Sequence, residues 1–176
     1  QGDRTLLEEA LARAKGLVAP ERICAIVAHQ HRQWWAEQEA LLPLESGNIH
    51  VQPRNRGTGI GVLYSLLHIL AKDPAAHVIL LPADHYVRDE FLLRQSLRIA
   101  LQRLEHGDER PVLLGIEPEE TDPELGYILP GGRDTRGGLK VAGFFETPHY
   151  DVAAELIGVG GLWNAFIIAS SAQAIV

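Results

Sequence analysis

The sequence predicts an α/β fold in which helices cover both faces of a doubly wound, mixed sheet. Short uninterrupted apolar runs alternate with helical patterns, and such runs are typical of parallel strands that are buried on both faces. Late in the chain two strand-like segments follow each other without a helix between them, so part of the sheet is expected to be antiparallel. We expect residues 1–176 to form a single domain, because this length suits one compact core.

The first half of the chain is expected to alternate helices and strands. Thr5 and Glu8 have the spacing of a capping box, which predicts that a helix begins there. Continuous or alternating apolar residues predict strands at 23–28, 49–52 and 78–81. Helical periodicity predicts helices at 31–42 and 60–72.

The second half begins with an amphipathic helix that ends before Gly107. Its predicted buried residues are Phe91, Leu92, Leu97, Ala100, Leu101 and Leu104. A strand is expected at 112–116, followed by an antiparallel pair at 127–129 and 141–146 that is joined by a turn at Pro130-Gly131-Gly132. A short helix at 152–157 and a last strand at 162–169 complete the prediction.

Composition excludes several classes of protein. The net charge is -7, so we expect no nucleic-acid partner, because such partners usually require a basic face. No apolar stretch approaches the roughly 20 residues that span a bilayer, and no signal-peptide pattern is present, so we expect no membrane partner and a cytoplasmic location. Cys24 is the single cysteine and lies in an apolar run, which predicts a buried structural thiol.

Polar residues directly follow the predicted strands, where ligands bind in open α/β sheets. Gln52 closes one strand, Asp84 follows another, and the glycine-containing loop 54–59 leads into a helix N-terminus that favours an anion. A carboxylate such as Asp84 suits Mg²⁺, although a helix cap or turn explains it equally well. Glycine for turn geometry is the alternative explanation of the loop.

Several common site motifs are absent from the sequence. The glycines of the loop do not fit a dinucleotide fingerprint, and neither a P-loop nor a G-x-S-x-G nucleophile motif occurs. His29 and His31 could suggest a metal pair, but no cysteine or further histidine lies near them in sequence, so surface histidines are the favoured interpretation.

Four segments in order resemble the mannose-1-phosphate guanylyltransferase branch of the sugar-1-phosphate nucleotidyltransferases. The segments are 52–58, 81–85, 122–128, and 144–148 followed by 162–164. The resemblance covers nearly the whole chain and implies a Rossmann-like fold of the nucleotide-diphospho-sugar transferase type. It also implies a nucleoside triphosphate and a sugar 1-phosphate as partners, with GTP and mannose 1-phosphate favoured, and Mg²⁺ as cofactor. A homodimer is a possible assembly.

The resemblance implies a role for each matching residue. Asp84 would hold Mg²⁺ and, with Arg56, serve catalysis. Gln52 would read the base edge, and the other expected nucleotide-binding residues are Asn55, Gly57, Thr58, Pro82 and Ala83. The expected sugar-binding residues are Gly126, Glu146, Thr147 and Asn164. The sugar-phosphate oxygen would attack the α-phosphorus of the nucleotide in line and release pyrophosphate, and this anionic nucleophile needs no general base.

The sequence departs from the family pattern in three ways. The family's first strand and Gly-rich loop, of the form G-G-x-G-T-R-L, would precede Gln1, and a second metal-binding aspartate would follow Val176. We therefore expect a fragment that lacks both and is inactive by itself. Thr147 stands where the family has a lysine that neutralises the sugar phosphate.

Two alternatives to GDP-mannose synthesis remain open. One is a catalytically inactive homologue that binds a nucleotide or nucleotide sugar as a regulatory module. The other is a thymidylyl- or uridylyltransferase that acts on glucose 1-phosphate.

Overall fold

A computed structural model describes residues 5–39, 44, 47–107 and 109–176 of the chain. The chain divides into two compact units. The first unit extends to Val112 and includes Ala169–Val176, and the second unit is Leu113–Ile168. Both parallel and antiparallel strand pairs are present, so the prediction of a mixed α/β fold is confirmed.

The first unit contains four helices and three strands among its described residues. The helices are α1 (Leu6–Lys15), α2 (Arg32–Glu39), α3 (Thr58–Lys72) and α4 (Glu90–Glu105), and the strands are β1 (Ala25–Ala28), β2 (Ile49–Gln52) and β3 (His77–Leu80). Strands β1 and β2 are parallel, with Ala28 opposite Gln52. Residues 40–42 of the predicted helix 31–42 lie outside the described residues.

The second unit contains helix α5 (Tyr150–Gly158) and most of the remaining strands. These are β4 (Val112–Ile116), β5 (Gly126–Arg133), β6 (Leu139–Phe145) and β7 (Leu162–Ser171). Strand β5 is antiparallel to both β6 and β7, which places Gly126 opposite Asn164. Strands β3 and β4 both pair with β7. The residues of β7 from Ala169 onward belong to the first unit.

Helix α1 begins at the predicted capping box. The Thr5 side chain accepts from the Glu8 N–H, and the Glu8 carboxylate accepts from the Thr5 N–H at 2.7 Å. The same helix carries Arg13, which is only 4% exposed and makes a two-pronged ion pair with Glu90 of α4. An arginine can be buried in this way because a carboxylate satisfies its donors.

Each unit has its own apolar core. In the first unit Leu66 of α3 is 1% exposed and packs with Val62 and Ala172. In the second unit Tyr127 of β5 packs with Ala153 and Leu156 of α5. Cys24 is half-buried just before β1, and burial raises the pKa of its thiol, which Lys72 partly opposes. None of the described helices is long and apolar enough to span a bilayer.

The predicted turn at Pro130-Gly131-Gly132 is wrong. These residues lie within β5, where the register with β6 shifts on either side of Pro130. The chain reverses instead over residues 134–138, because Asp134 Oδ1 accepts the N–H groups of Arg136 and Gly138. A bulge therefore accommodates the proline and glycines, while the aspartate forms the turn.

The prediction that Phe91 and Leu92 are buried is also wrong. They are 74% and 58% exposed, whereas Leu97, which begins the buried face of α4, is fully buried. A helix turns by about 100° per residue, so Leu92 points roughly 140° away from Leu97. Helix α4 therefore contains more apolar residues than its one buried face can accommodate.

Candidate functional site

Strand β2 ends in an exposed loop that leads into helix α3. Asn55 Oδ1 accepts the N–H of Gly57 at 2.9 Å, and Gly57 has φ +87°, a conformation that favours glycine. This geometry lets α3 begin at Thr58, two residues earlier than predicted. The loop residues Arg54, Asn55 and Arg56 are exposed.

An open pocket of about 380 Å³ lies at this loop in the first unit. Its lining residues are Gln52, Pro53, Arg54, Arg56, Ile60 and Tyr64. The lining offers two guanidinium groups, one amide and three largely apolar side chains, a combination that suits a ligand with an anionic group and a planar ring. The structure places Gln52 and Arg56 on the lining of the same pocket.

Gln52 is buried and fixed from two directions. Its Oε1 accepts from the Arg56 N–H at 3.4 Å, which is a long hydrogen bond. Its Nε2 lies over Gly61 of α3, at a place that a Cβ on Gly61 would occupy. The missing side chain of Gly61 therefore makes room for the Gln52 side chain.

His50 and Ser65 form a buried polar contact between β2 and α3. His50 Nδ1 lies 2.6 Å from Ser65 Oγ, and both residues are at most 5% exposed. The His50 ring also contacts the rings of Tyr64 and His68. Burial lowers the pKa of His50, and the charges of His68 and Lys72 lower it further, while the Gly47 backbone opposes them.

Asp84 lines a second, wider groove of about 530 Å³ in the first unit. The other lining residues are Leu7, His31, Trp34 and Trp35. The Asp84 side chain is 85% exposed, and its Oδ1 lies 3.9 Å from His85 Nε2. Pro82 and Ala83 connect β3 to this carboxylate.

The donor set at Asp84 fits one kind of metal site. No group of three or more histidine, cysteine or acidic side chains that could hold a metal occurs among the described residues. A single exposed carboxylate is nevertheless compatible with Mg²⁺, which keeps several waters and takes its remaining ligands from substrate phosphates. The residues present fit Mg²⁺ carried by a nucleotide better than a protein-only metal cage.

Three of the predicted sugar-binding residues converge in the second unit. A Cβ on Gly126 would lie 2.7 Å from Glu146 Oε2 and 3.6 Å from Asn164 Nδ2. Gly126 is buried in β5, Glu146 is exposed directly after β6, and Asn164 lies in β7. Because the three residues come from three neighbouring strands, the sheet itself brings them to one point.

The fourth predicted residue, Thr147, has an unusual backbone. Its φ is +40°, although it is β-branched and precedes Pro148. The loop before Gly126 is held by Tyr127, whose hydroxyl donates to the Asp122 carbonyl at 3.0 Å and accepts from the indole of Trp163 at 3.2 Å. This buried hydroxyl was not among the predicted site residues.

Sequence reasoning missed several residues at these sites. The sequence pattern around Ile60 and Tyr64 is that of an ordinary helix, so neither residue was predicted to line a site. Their four-residue spacing could have shown that they share one face of the helix. Trp34 is 61% exposed beside Asp84, and the pair of adjacent tryptophans after a strand is the signal that could have found it. No pattern in the sequence indicates the left-handed backbone of Phe166.

Comparison with known proteins gives consistent matches. Residues 2–175 match the family model described as nucleotidyl transferase. The chain is 31% identical over 176 residues to mannose-1-phosphate guanylyltransferase 2 of Escherichia coli O157:H7, covering 94% of this chain and 36% of that protein. It is 30% identical over 171 residues to the alginate biosynthesis protein AlgA of Pseudomonas putida, covering 93% of this chain and 34% of that protein.

A solved structure has the same fold. The crystal structure of a mannose-1-phosphate geranyltransferase from Thermus thermophilus superposes with a TM-score of 0.80 at 31% identity. The match covers 98% of this chain and 49% of that one. The chain thus spans about a third of the two relatives and half of this structure. Since the family model matches almost every residue, the chain belongs to the nucleotidyl transferase family.

Proposed function

We propose that this chain belongs to an enzyme that transfers a nucleotidyl group from a nucleoside triphosphate to a sugar 1-phosphate. GTP and mannose 1-phosphate are the favoured substrates, and GDP-mannose and pyrophosphate are the products. The family match and relatives named for mannose-1-phosphate guanylyltransferase support this proposal. In this proposal both units belong to one catalytic domain of a cytoplasmic protein, for which a homodimer is a possible assembly.

The observation that carries the proposal is the convergence of Gly126, Glu146 and Asn164. Because Gly126 has no Cβ, the Glu146 carboxylate can lie against it beside the Asn164 amide, and these two side chains supply an acceptor and a donor. Sugar hydroxyls require this combination. We propose that these residues bind the hexose and that Thr147 lies beside its phosphate.

The nucleotide is proposed to bind to the first unit. Gln52 would contact the base edge, and Arg56 would offset charge on the phosphates. The remaining nucleotide contacts are assigned to Asn55, Gly57, Thr58, Pro82 and Ala83. Asp84 would hold Mg²⁺, which when bound neutralises phosphate charge.

The side chains present suit a reaction that depends on alignment and charge. The sugar-phosphate oxygen attacks the α-phosphorus, a new P–O bond forms as the bond to pyrophosphate breaks, and no proton has to be removed from the nucleophile. Glu146 and Asn164 would orient the hexose, and Arg56 would reduce the repulsion between two polyanions. This chemistry requires no catalytic triad.

The proposal is tested with the full-length protein, GTP, mannose 1-phosphate and Mg²⁺. The expected result is stoichiometric release of pyrophosphate and GDP-mannose, with lower kcat/KM for UTP, dTTP and glucose 1-phosphate. Preference for UTP or dTTP with glucose 1-phosphate would favour the alternative substrates. The absence of pyrophosphate with every pair of substrates would contradict transferase activity.

A regulatory homologue that only binds nucleotide or nucleotide sugar is the second candidate. It is favoured by one observation, the neutral Thr147 at the place where the family pattern has a lysine. Calorimetric binding of GTP or GDP-mannose without any turnover would support it.

A further inference from the structure

A buried tyrosine hydroxyl closes the loop that leads into the proposed sugar site. Tyr127 of β5 is 0% exposed, and its hydroxyl accepts the Asp122 N–H at 3.1 Å and donates to the Asp122 carbonyl at 3.0 Å. The same hydroxyl accepts from Trp163 Nε1 at 3.2 Å. Its one donor and both of its acceptor positions are therefore used.

The hydroxyl fixes a loop that has no regular structure of its own. Residues 122–125 belong to neither a helix nor a strand. Within them, Asp122 Oδ1 accepts the N–H of Glu124 at 2.8 Å and so forms a tight turn. The bonds between Tyr127 and Asp122 close this turn across a sequence separation of five residues. Local bonds of this kind thus order the loop before β5.

Gly126 is the residue that the closed loop positions. It lies between the loop and Tyr127, opposite Asn164 of β7, and the Glu146 carboxylate lies against it. A glycine has no side chain that packing could hold in place. Its position is therefore determined through the backbone, by strand pairing on one side and by the loop on the other.

We propose that Tyr127 is a positioning residue for sugar binding, whose hydroxyl holds loop 122–125 and the Gly126 backbone in the conformation that binds the hexose of a sugar 1-phosphate. Because Tyr127 is fully buried, it acts without touching the sugar. A loop that is ordered before the ligand arrives lowers the entropic cost of binding, so the closed loop raises affinity. This inference rests on the proposed binding of a sugar 1-phosphate to the second unit.

The first test measures whether the hydroxyl orders the loop in the unliganded, full-length protein. Tyr127→Phe removes the hydroxyl and keeps the ring in the core with Ala153 and Leu156. Hydrogen–deuterium exchange of the amides of residues 122–126, relative to that of α5, is expected to be about tenfold faster in the variant. Equal relative exchange in the variant and the unmodified protein would overturn the inference.

The second test measures calorimetric Kd values for mannose 1-phosphate and GTP. Tyr127→Phe is expected to raise the Kd of mannose 1-phosphate about tenfold, because the loop must then be ordered on binding. The Kd of GTP should not change, because GTP is proposed to bind to the first unit. A merely structural role of Tyr127 would lower the melting temperature and leave both Kd values as they are.

Trp163→Phe is the matched control for this measurement. It removes one donor to the Tyr127 hydroxyl but keeps both bonds between that hydroxyl and Asp122. The Kd of mannose 1-phosphate is expected to stay within about twofold of the original value. Equal losses of affinity in Trp163→Phe and Tyr127→Phe would assign the effect to general packing and overturn the positioning role.

A second pair of variants tests the loop where Tyr127→Phe folds poorly. Asp122→Ala opens the turn at Glu124 and is expected to weaken mannose 1-phosphate binding, whereas Asp122→Asn keeps Oδ1 as an acceptor and should bind as the unmodified protein does. Combined with Tyr127→Phe, Asp122→Ala should weaken binding by less than the product of the two single effects, because both act through one loop. Fully multiplicative effects would contradict this.

The outcomes distinguish this inference from the proposed function. If all variants bind mannose 1-phosphate as the unmodified protein does, the positioning role is wrong and the proposed function stands. If the expected pattern of Kd values occurs without release of pyrophosphate, only the proposed reaction is contradicted. If the unmodified protein binds no mannose 1-phosphate, both are overturned.

Discussion

Thr147 is the residue at which this chain departs most clearly from the pattern of the family at the proposed sugar-phosphate site. Its hydroxyl can donate one hydrogen bond, but it cannot neutralise a phosphate dianion. Its positive φ, directly before Pro148, shows that the tertiary structure imposes this backbone against the preference of a β-branched residue. The tertiary structure therefore sets the backbone at position 147, while the side chain there carries no charge.

Replacing Thr147 tests this view at the residue scale. Thr147→Lys is expected to lower KM for mannose 1-phosphate by about tenfold, because a charge-assisted hydrogen bond contributes roughly 1.5–3 kcal/mol. KM for GTP should not change. Steady-state kinetics of the full-length protein measure both values.

A matched control separates a local contact from a general charge effect. Val159→Lys adds the same charge at an exposed position of the second unit and is expected to leave both KM values unchanged. An equal decrease in KM in the two variants would contradict a role for position 147 at the phosphate.

The contact between β2 and α3 buries a titratable group, the imidazole of His50. His50 is buried against Ser65, and its lowered pKa means that the folded state favours the neutral ring. The unfolded chain binds more protons than the folded chain once the pH falls below about 6.5. The contribution of His50 to the free energy of unfolding is therefore expected to be constant above that pH and to decrease as the pH falls below it.

His50→Asn should remove part of this pH dependence. Denaturant unfolding measured at several pH values between neutrality and mild acid is expected to show a shallower loss of stability for the variant than for the unmodified protein. His77→Asn changes an exposed histidine of β3 and serves as the control, which should keep the original slope. If the His50→Asn variant keeps the full pH dependence of the free energy of unfolding, that dependence arises from other groups.

Some helices and strands whose start is encoded by residues close together in sequence were predicted with the correct first residues. The capping box at Thr5, strand β2 and strand β4 have the expected starts, because each is encoded by neighbours within a few residues. The turn after β5 was misplaced, because Pro130-Gly131-Gly132 is a strong turn signal by itself. Pairing with β6 and the Asp134 turn override it in the folded chain.

At the scale of the whole molecule, ligand binding should increase the free energy of unfolding. If the nucleotide binds with its metal, GTP at about 100 times its Kd adds about 2.7 kcal/mol to the free energy of unfolding. For a domain of this length the melting temperature should rise on the order of 5–10 °C. Thermal melting with and without GTP and Mg²⁺ measures this shift.

Removal of the metal provides the control for that shift. EDTA, or the variant Asp84→Asn, is expected to abolish most of the increase in melting temperature, because Asp84 is the proposed protein ligand of Mg²⁺. An unchanged increase in both cases would contradict the assignment of Asp84. ATP with Mg²⁺ is expected to give a smaller increase than GTP.

By itself the sequence determined the class of fold, most helices and strands, and the residue types that follow the strands. Periodicity, capping and turn residues act over a few positions, so they can be read from the chain directly. The tertiary structure decided which of these residues meet. The burial of Arg13, the exposure of Phe91 and the meeting of Gly126, Glu146 and Asn164 all depend on contacts between segments distant in sequence. Such contacts exist only once the strands have paired.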